Sequence, residues 1–295
     1  MSGSEGSERR SLGELLDDWR DELAGWAIPE HISQAAAQEA WVLPRQVFAR
    51  RADRMAADPG GPSFRRCWAT LDPPGSVLDV GAGAGAACLP LLPRTTALTA
   101  VDTDEEMLGL LGERVGERAG ALAGKVRLVR GSWPEVAPDA APADLVTCFN
   151  VVYNVPDVLP FLAALTASAR RAVVLEMTAE HPMVSMNDLW LRFHGLRRPA
   201  GPTADELLRI LAGMGISASQ QRWQRPGGAD YASLAELADV TRRRLCLPPE
   251  RTDEVARALA ETETDPGQLV DLGTSRRDMV TVWWAGGAAH RDFLD

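Results

Sequence analysis

The segment Val77-Leu78-Asp79-Val80-Gly81-Ala82-Gly83-Ala84-Gly85 ends an apolar run on an acidic residue, then sets three glycines at alternate positions. A strand that stops in such a loop brings bare backbone to the mouth of a parallel sheet. A Cβ there would block a ligand and disfavour positive φ. The following Ala86-Ala87-Cys88-Leu89 is expected to open a helix whose free N–H groups face the same ligand. Gly81, Gly83 and Ala86 also satisfy the dinucleotide fingerprint G-x-G-x-x-G/A. Two features favour another ligand. Asp79 stands two residues before the first glycine, where it would repel a pyrophosphate and welcome a cationic amine. The strand also comes roughly seventy residues into the chain, after helical sequence, whereas a nucleotide-binding half more often opens its own domain. A glycine-rich turn without a ligand is the bland alternative.

Further polar residues fall at the ends of later apolar runs. Ala97 to Val101 reads as a second strand, and Asp102 ends it, at the distance from the glycines where an acidic residue can accept two hydrogen bonds from a ribose diol. Thr103 or Asp104 can cap the helix expected from Asp104 to about Val115, which leaves Asp102 free. Lys125 to Arg130 alternates basic and apolar residues as a third strand and runs into Gly131-Ser132-Trp133. A hydroxyl and an indole there could hold the edge and face of an adenine; Trp133 could equally plug the space between helix and sheet. Ala143 to Phe149 is a fourth strand, followed by Asn150-Val151-Val152-Tyr153-Asn154, and Arg171 to Met177 a fifth.

In these motifs the chain resembles the class I S-adenosylmethionine-dependent methyltransferases. VLDVGAGAG matches the first motif of that family, AVD the second, RGSW the third and DLVTCFN the fourth, in order and at fitting separations. The resemblance covers residues 75 to 180 well and the last eighty residues loosely. It implies an α/β fold, a Rossmann-like doubly wound sheet that is mostly parallel with an antiparallel last strand. N-terminal helices and a C-terminal helical insertion would complete it. It implies S-adenosylmethionine as cofactor. Gly81, Ala82 and Gly83 would line its methionine part, with Asp79 near the ammonium group. Asp102, beside Thr103, would bind the ribose, and Met107 would pack near the adenine. Ser132 and Trp133, after Gly131, would flank the base, and Asn150 and Val151 would close the methionine end. Ser132 stands where members of that family often carry an acidic residue.

The chemistry implied is in-line attack by a substrate O, N or C on a sulfonium methyl. The cofactor brings the leaving group, so the protein supplies alignment, exclusion of water and sometimes a base. His181, His194 and Tyr153 are the candidates near the expected pocket mouth; His194, next to Gly195, could instead cap a helix. Trp190, His194 and Arg198 together would offer an aromatic face, an imidazole and a cation to a planar, anionic or carbonyl-bearing acceptor. The bland alternative buries Trp190 and leaves Arg198 solvated. The Asn/Asp-Pro-Pro-Tyr motif of many base-amino methyltransferases is absent, with Phe149-Asn150-Val151-Val152 in its place.

The elements that position these residues can be laid out along the chain. Residues 1–10 are expected to be a disordered tail and 11–70 a helical cover. Residues 75–180 form the cofactor-binding domain, and 181–295 supply substrate-side helices and the last strands of the same sheet. Ser11 with Glu14 is a capping box ahead of a stripe of Leu12, Leu15, Leu16, Trp19, Leu23 and Trp26. Helical runs follow at about Ile32 to Ala40 and Gln46 to Met55. Trp41 and Phe48 could cover the pocket, although core packing suits them as well. Pro182 to Phe193 reads as a helix ended by Gly195, and Thr203 with Glu206 opens another to about Ala212. Ile216 to Trp223 is a strand, Ser233 to Leu245 and Pro249 to Glu261 are helices, and Asp278 to Trp284 is the closing strand. The length between the two strands exceeds a hairpin connection and calls for a two-helix insertion.

Composition narrows the class. A net charge of −10 disfavours broad binding to nucleic acid, and the small arginine groups Arg65-Arg66, Arg197-Arg198 and Arg242-Arg243-Arg244 read as solvated faces. No run reaches membrane-span length, the first ten residues lack a signal-peptide core, and the four cysteines form no C-x-x-C pair. A cytoplasmic protein without a metal site, acting on a small-molecule methyl acceptor, is the expectation. Methylation of RNA or protein, and cofactor binding without methyl transfer, are the alternatives. Nothing in the sequence sets an oligomeric state.

Overall fold

The computed structural model describes residues 10–34, 36, 40, 45–118, 120–122, 124–225, 230–261 and 277–287. Trp41 lies outside them, as do residues 1–9 of the expected tail. Seven strands make one sheet: β1 (Gly75–Val80), β2 (Thr95–Asp102), β3 (Val126–Arg130), β4 (Ala143–Phe149), β5 (Ala169–Thr178), β6 (Ser219–Gln224) and β7 (Asp278–Ala285). Their spatial order is β3-β2-β1-β4-β5-β7-β6. β1 to β5 are parallel, and β7 runs antiparallel between β5 and β6. The sheet is the expected doubly wound one. The chain moves outward from β1 through β2 to β3, then returns to β4 on the other side of β1. That reversal opens a crevice at the carboxyl ends of β1 and β4, the place where open α/β sheets bind ligands.

The strands are apolar because both faces are covered. Leu78, Leu145, Val146, Val173, Val174 and Leu175 are fully buried. One face carries α6 (Val158–Ser168), α8 (Ala204–Gly213) and α1 (Leu12–Ala24), whose Leu15 and Trp19 join the same core. The other carries α3 (Arg45–Ala57), α4 (Gly61–Thr70) and α5 (Glu105–Arg118). A third apolar cluster joins the short α2 (Glu30–Ser33) to α7 (Asn187–His194), α9 (Leu234–Arg244) and α10 (Thr252–Glu261). The last two are the expected insertion between β6 and β7. Both capping boxes form: Ser11 and Thr203 each exchange hydrogen bonds with the glutamate three residues on.

Three elements differ from the sequence reading. No α-helix opens at Ala86. Residues 83–88 form turns, and Leu89–Arg94 is a 3-10 helix, because Pro90 and Pro93 have no N–H to give to an α-helical ladder. The run Pro182 to Phe193 divides into a 3-10 turn over Pro182–Met186 followed by α7, which Gly195 ends in the left-handed region at φ 66°. Of the run from Ile32 to Ala40, the described helical part stops at Ser33.

Candidate functional site

The crevice is a cleft of about 770 Å³, within the range of about 300–1,000 Å³ common to small-molecule sites. Its floor comes from the strand ends and the loops after them. Gly81, Ala82 and Gly83 follow β1; Asp102, Thr103 and Met107 follow β2; Gly131, Ser132 and Trp133 follow β3; Asn150 and Val151 follow β4. These eleven residues, drawn from four separate motifs, line one cavity. Phe48 and Met55 of α3 and Gly61 and Phe64 of α4 cover it.

The glycine loop is held from within. Gly81 and Ala82 give their N–H groups to the Val101 carbonyl, and Gly85 gives its own to Ala82. Gly83 donates to Asp102 Oδ2 at 2.7 Å, while Asp102 Oδ1 accepts from Asp104 N at 2.9 Å. These N–H groups are therefore spent inside the protein rather than turned toward a phosphate, which argues against a dinucleotide cradle. Asp102 is not free of structural duties as expected, but each carboxylate oxygen keeps a second acceptor site. Asp104 caps α5 by accepting from Glu106 N and Met107 N. Gly81 sits at φ 72°, and a Cβ on it would lie 2.2 Å from Val151 Cγ2. Gly83 sits at φ 51°, yet a Cβ there would meet only Met107 Cε, at 3.4 Å. Space is left over Gly83 alone.

Asp79 does not line the cleft. It is fully buried beneath the loop; Oδ1 accepts from Thr147 Oγ1 at 2.8 Å, and Oδ2 is left without an oxygen or nitrogen partner. Burial raises its carboxyl to about 6, against the hydrogen bonds from Thr147 and the Cys88 thiol. A half-satisfied buried carboxylate under an open glycine loop fits an approaching ammonium group. Trp133 is the plug between helix and sheet, and it also reaches the cleft. It is buried, its Nε1 donates to the Phe161 carbonyl at 3.4 Å, and it still contributes to the cleft wall.

At the far side of β4, Asn150 holds φ 62°, a conformation that asparagine tolerates better than most residues. Its N–H donates to the Glu176 carbonyl at 2.7 Å and its Nδ2 to Glu176 Oε1 at 3.3 Å. β4 and β5 are in register at Phe149 and Glu176, which brings this acidic side chain to the cleft.

The residues expected to meet the acceptor lie elsewhere. Trp190, His194 and Arg198 do not line the cleft. Trp190 is buried in the cluster of α7, α9 and α10, and His194 Nε2 hydrogen-bonds the Leu245 carbonyl at 2.7 Å. Arg198 donates to the Ala27 and Trp26 carbonyls and lies over the rings of Trp26 and Trp190. The cause is the apolar stripe of α7, which needs cover, and α9 and α10 supply it. His181 and Tyr153 are also buried outside the cleft. His181 stacks on Trp26 with ring centres 4.4 Å apart and meets the edge of Tyr153 at 5.6 Å. Burial, then the charge of Arg277, lowers its imidazole to about 4; burial raises the Tyr153 phenol to about 12.

The cleft holds instead a charged group that the sequence reading did not assign: Arg51 and Arg54 on α3, Glu176 on β5, Arg225 after β6, and Asp230 before α9. Arg51 pairs with Asp230 at 2.6 Å, Arg54 also pairs with Asp230, and Arg225 approaches Glu176 at 3.4 Å. Burial would raise the Asp230 carboxyl, but Arg51 and Arg54 hold it below its ordinary value. One signal was available for Glu176, an acidic residue inside the apolar run Val173-Val174-Leu175-Glu176-Met177. The arginines carry no such mark.

A sequence model described as a methyltransferase domain matches residues 48–217, more than half of the chain. The ribosomal RNA small subunit methyltransferase A of Corynebacterium diphtheriae is 33% identical over 108 residues, which cover 36% of this chain and 37% of that protein. The protein of the same name from Nocardia farcinica is 40% identical over 105 residues, covering 34% and 35%. The chain thus matches about a third of the length of these curated relatives. Among solved structures, the YcgJ protein from Bacillus subtilis aligns with 81% of this chain and 99% of its own at 17% identity, with a TM-score of 0.49. Among the described residues, no helix is long and apolar enough to cross a membrane.

Proposed function

The chain belongs to the methyltransferase domain family, which uses S-adenosylmethionine, and from that premise we propose that it transfers the methyl group to an O or N of a small molecule. The observation that carries this reading is the covered cleft. Eleven residues from four motifs meet in one cavity of small-molecule size, under a roof of α3 and α4. When bound, S-adenosylmethionine supplies a methyl group already activated on a sulfonium. Asp79 would hold the ammonium group with its unpartnered oxygen, and Gly83 would leave room for the methionine part. Asp102, beside Thr103, would accept from the ribose, while Met107, Ser132 and Trp133 would enclose the base. Asn150 and Val151 would close the methionine end. Residues 11–70 then act as cover, 75–180 as cofactor domain and 181–295 as acceptor side. With His181, His194 and Tyr153 outside the cleft, the rate enhancement rests on alignment and exclusion of water. Glu176 is assigned a positioning role through Asn150 and Arg225. A cytoplasmic setting belongs to this reading, supported by four buried, unbridged cysteines.

Isothermal titration checks the cofactor: S-adenosylmethionine and its demethylated product should bind, and NAD and NADP should not. Tight NAD binding without S-adenosylmethionine binding would sink the reading. For the acceptor, labelled cofactor is incubated with a cell extract, and the label is followed into the small-molecule filtrate. The names of the curated relatives favour RNA as a second reading; label entering RNA instead of the filtrate would establish it.

A further inference from the structure

We propose that the methyl acceptor carries an oxyanion, a carboxylate or a phosphate, and that Arg225, seconded by Arg51, binds it in the cleft. The inference rests on the methyl-transfer reading for the word acceptor, but the anion site stands on its own observations. Arg51, Arg54 and Arg225 line the cleft together. Arg277 lies directly beside them, its carbonyl accepting from Arg225 N at 3.0 Å. Among the described lining residues, Asp230 and Glu176 are the carboxylates paired with these arginines; Asp58 is exposed, and Asp102 and Asp104 line the cleft after β2. Three arginines thus share one cleft, in a chain whose net charge is −10.

The acids are also unevenly shared. Asp230 takes both Arg51 and Arg54. Arg225 has the more distant contact, a single hydrogen bond to Glu176 Oε1 at 3.4 Å, and the same oxygen also accepts from Asn150. Its side chain is 19% exposed, and that exposure opens on the cleft. A guanidinium has five N–H donors in a fixed fork that matches a carboxylate or phosphate. One long hydrogen bond leaves most of that fork for a ligand. Burial, followed by repulsion from Arg51, holds Arg225 below its ordinary value, and burial lowers Arg277 to about 10. An anion in the cleft relieves both effects. Trp223, which lines the same wall with its Nε1 fixed on Thr281 Oγ1 at 3.0 Å, supplies an aromatic surface beside the cation. A small acidic molecule with an unsaturated or aromatic body is the class that fits.

The test titrates benzoate, phenyl phosphate and the neutral benzamide into the full-length protein, with and without S-adenosylhomocysteine, by isothermal titration. Either anion should bind, benzamide should not, and the better anion identifies carboxylate or phosphate. Arg225→Gln should weaken anion binding by roughly tenfold or more, and Arg225→Lys should restore part of it. Retained S-adenosylhomocysteine affinity in the variants reports an intact fold; circular dichroism does so if that ligand fails to bind. Absence of anion binding up to tens of millimolar, or binding equal in wild type and Arg225→Gln, overturns the proposal. So does Arg225-dependent binding of a single-stranded oligouridylate in preference to both small anions, which would assign the wall to a nucleic-acid backbone. Failure of S-adenosylhomocysteine to bind, with anion binding intact, would instead remove the methyl-transfer reading and leave the anion site.

Discussion

A buried carboxyl group with one oxygen satisfied and the other bare is costly to ionise, and Asp79 is such a group. In the unfolded chain it titrates near 3.9, and in the fold burial raises it to about 6. The folded state therefore favours the protonated form. The stability this confers is present below pH 4 and is lost as the pH rises through about 6. Asp79→Asn removes the penalty. Without cofactor at neutral pH and above, the variant should be more stable than wild type by on the order of 2–3 kcal/mol, and the gap should narrow by roughly 1 kcal/mol at about pH 5. Urea unfolding at the two pH values measures this. Cofactor affinity should move the other way. The variant should lose roughly 1.5–3 kcal/mol for a charged partner, and wild-type affinity should weaken as the pH falls through about 6 while that of the variant stays level. A variant that binds the cofactor as tightly as wild type would detach Asp79 from the ammonium group.

At the scale of elements, the loop after β1 divides its tasks between two glycines that look alike in the sequence. Both hold positive φ, but a Cβ on Gly81 would strike Val151 Cγ2 at 2.2 Å, whereas one on Gly83 finds ordinary contact with Met107. Gly81→Ala should therefore damage the fold, shifting the seam between the loops after β1 and β4, with a cost above the roughly 1–2 kcal/mol of left-handed backbone strain alone. Gly83→Ala should cost only about that strain, yet block the approach of the cofactor. Thermal melts paired with cofactor titration separate the two; equal stability losses would show that the spaces over the two glycines do not differ. The elements themselves were largely legible. Period-two and continuous apolar runs marked the strands, and Ser11, Thr203 and Ser233 marked helix starts that the structure confirms. The helix expected at Ala86 failed because Pro90 and Pro93 lie one turn on, a signal that the alanines masked. The cofactor side of the cleft was legible because each loop carries its residues at a fixed distance from its own strand. The charged wall was not, since Arg51 of α3, Glu176 of β5 and the pair Arg225 and Asp230 between β6 and α9 come from three distant stretches of the chain, and only the fold brings them together.

For the molecule as a whole, one joint ties the N-terminal segment to the connections after β4, after β5 and before α8. Trp19 Nε1 donates to the Val155 carbonyl at 2.8 Å and Trp26 Nε1 to the Gly201 carbonyl at 2.6 Å, and the Trp26 ring stacks on His181. His181, a candidate base by its place in the sequence, is the buried centre of this joint, with Nδ1 accepting from Met183 N at 3.3 Å. That acceptor bond needs a neutral ring. Burial and Arg277 lower the imidazole to about 4, against about 6.5 in the unfolded chain. The stability it contributes is complete above about pH 6.5 and is lost as the pH falls toward 4. Asp79 acts in the opposite sense over an overlapping window, gaining stability on acidification, so the wild-type profile blends the two and is best resolved by variants. In the Asp79→Asn background, unfolding free energy should drop by about 2 kcal/mol between about pH 7.5 and about pH 5 on account of His181. Adding His181→Asn keeps a hydrogen-bond acceptor near Met183 N but removes the titrating ring, and most of that drop should disappear. The double variant should also be weaker at neutral pH, having lost the stacked contact with Trp26, by roughly 0.5–1.5 kcal/mol beyond the lost area. If the acid limb of the double variant matches that of Asp79→Asn alone, the joint is not held by a neutral His181, and the acid sensitivity belongs to the carboxylates paired with arginine.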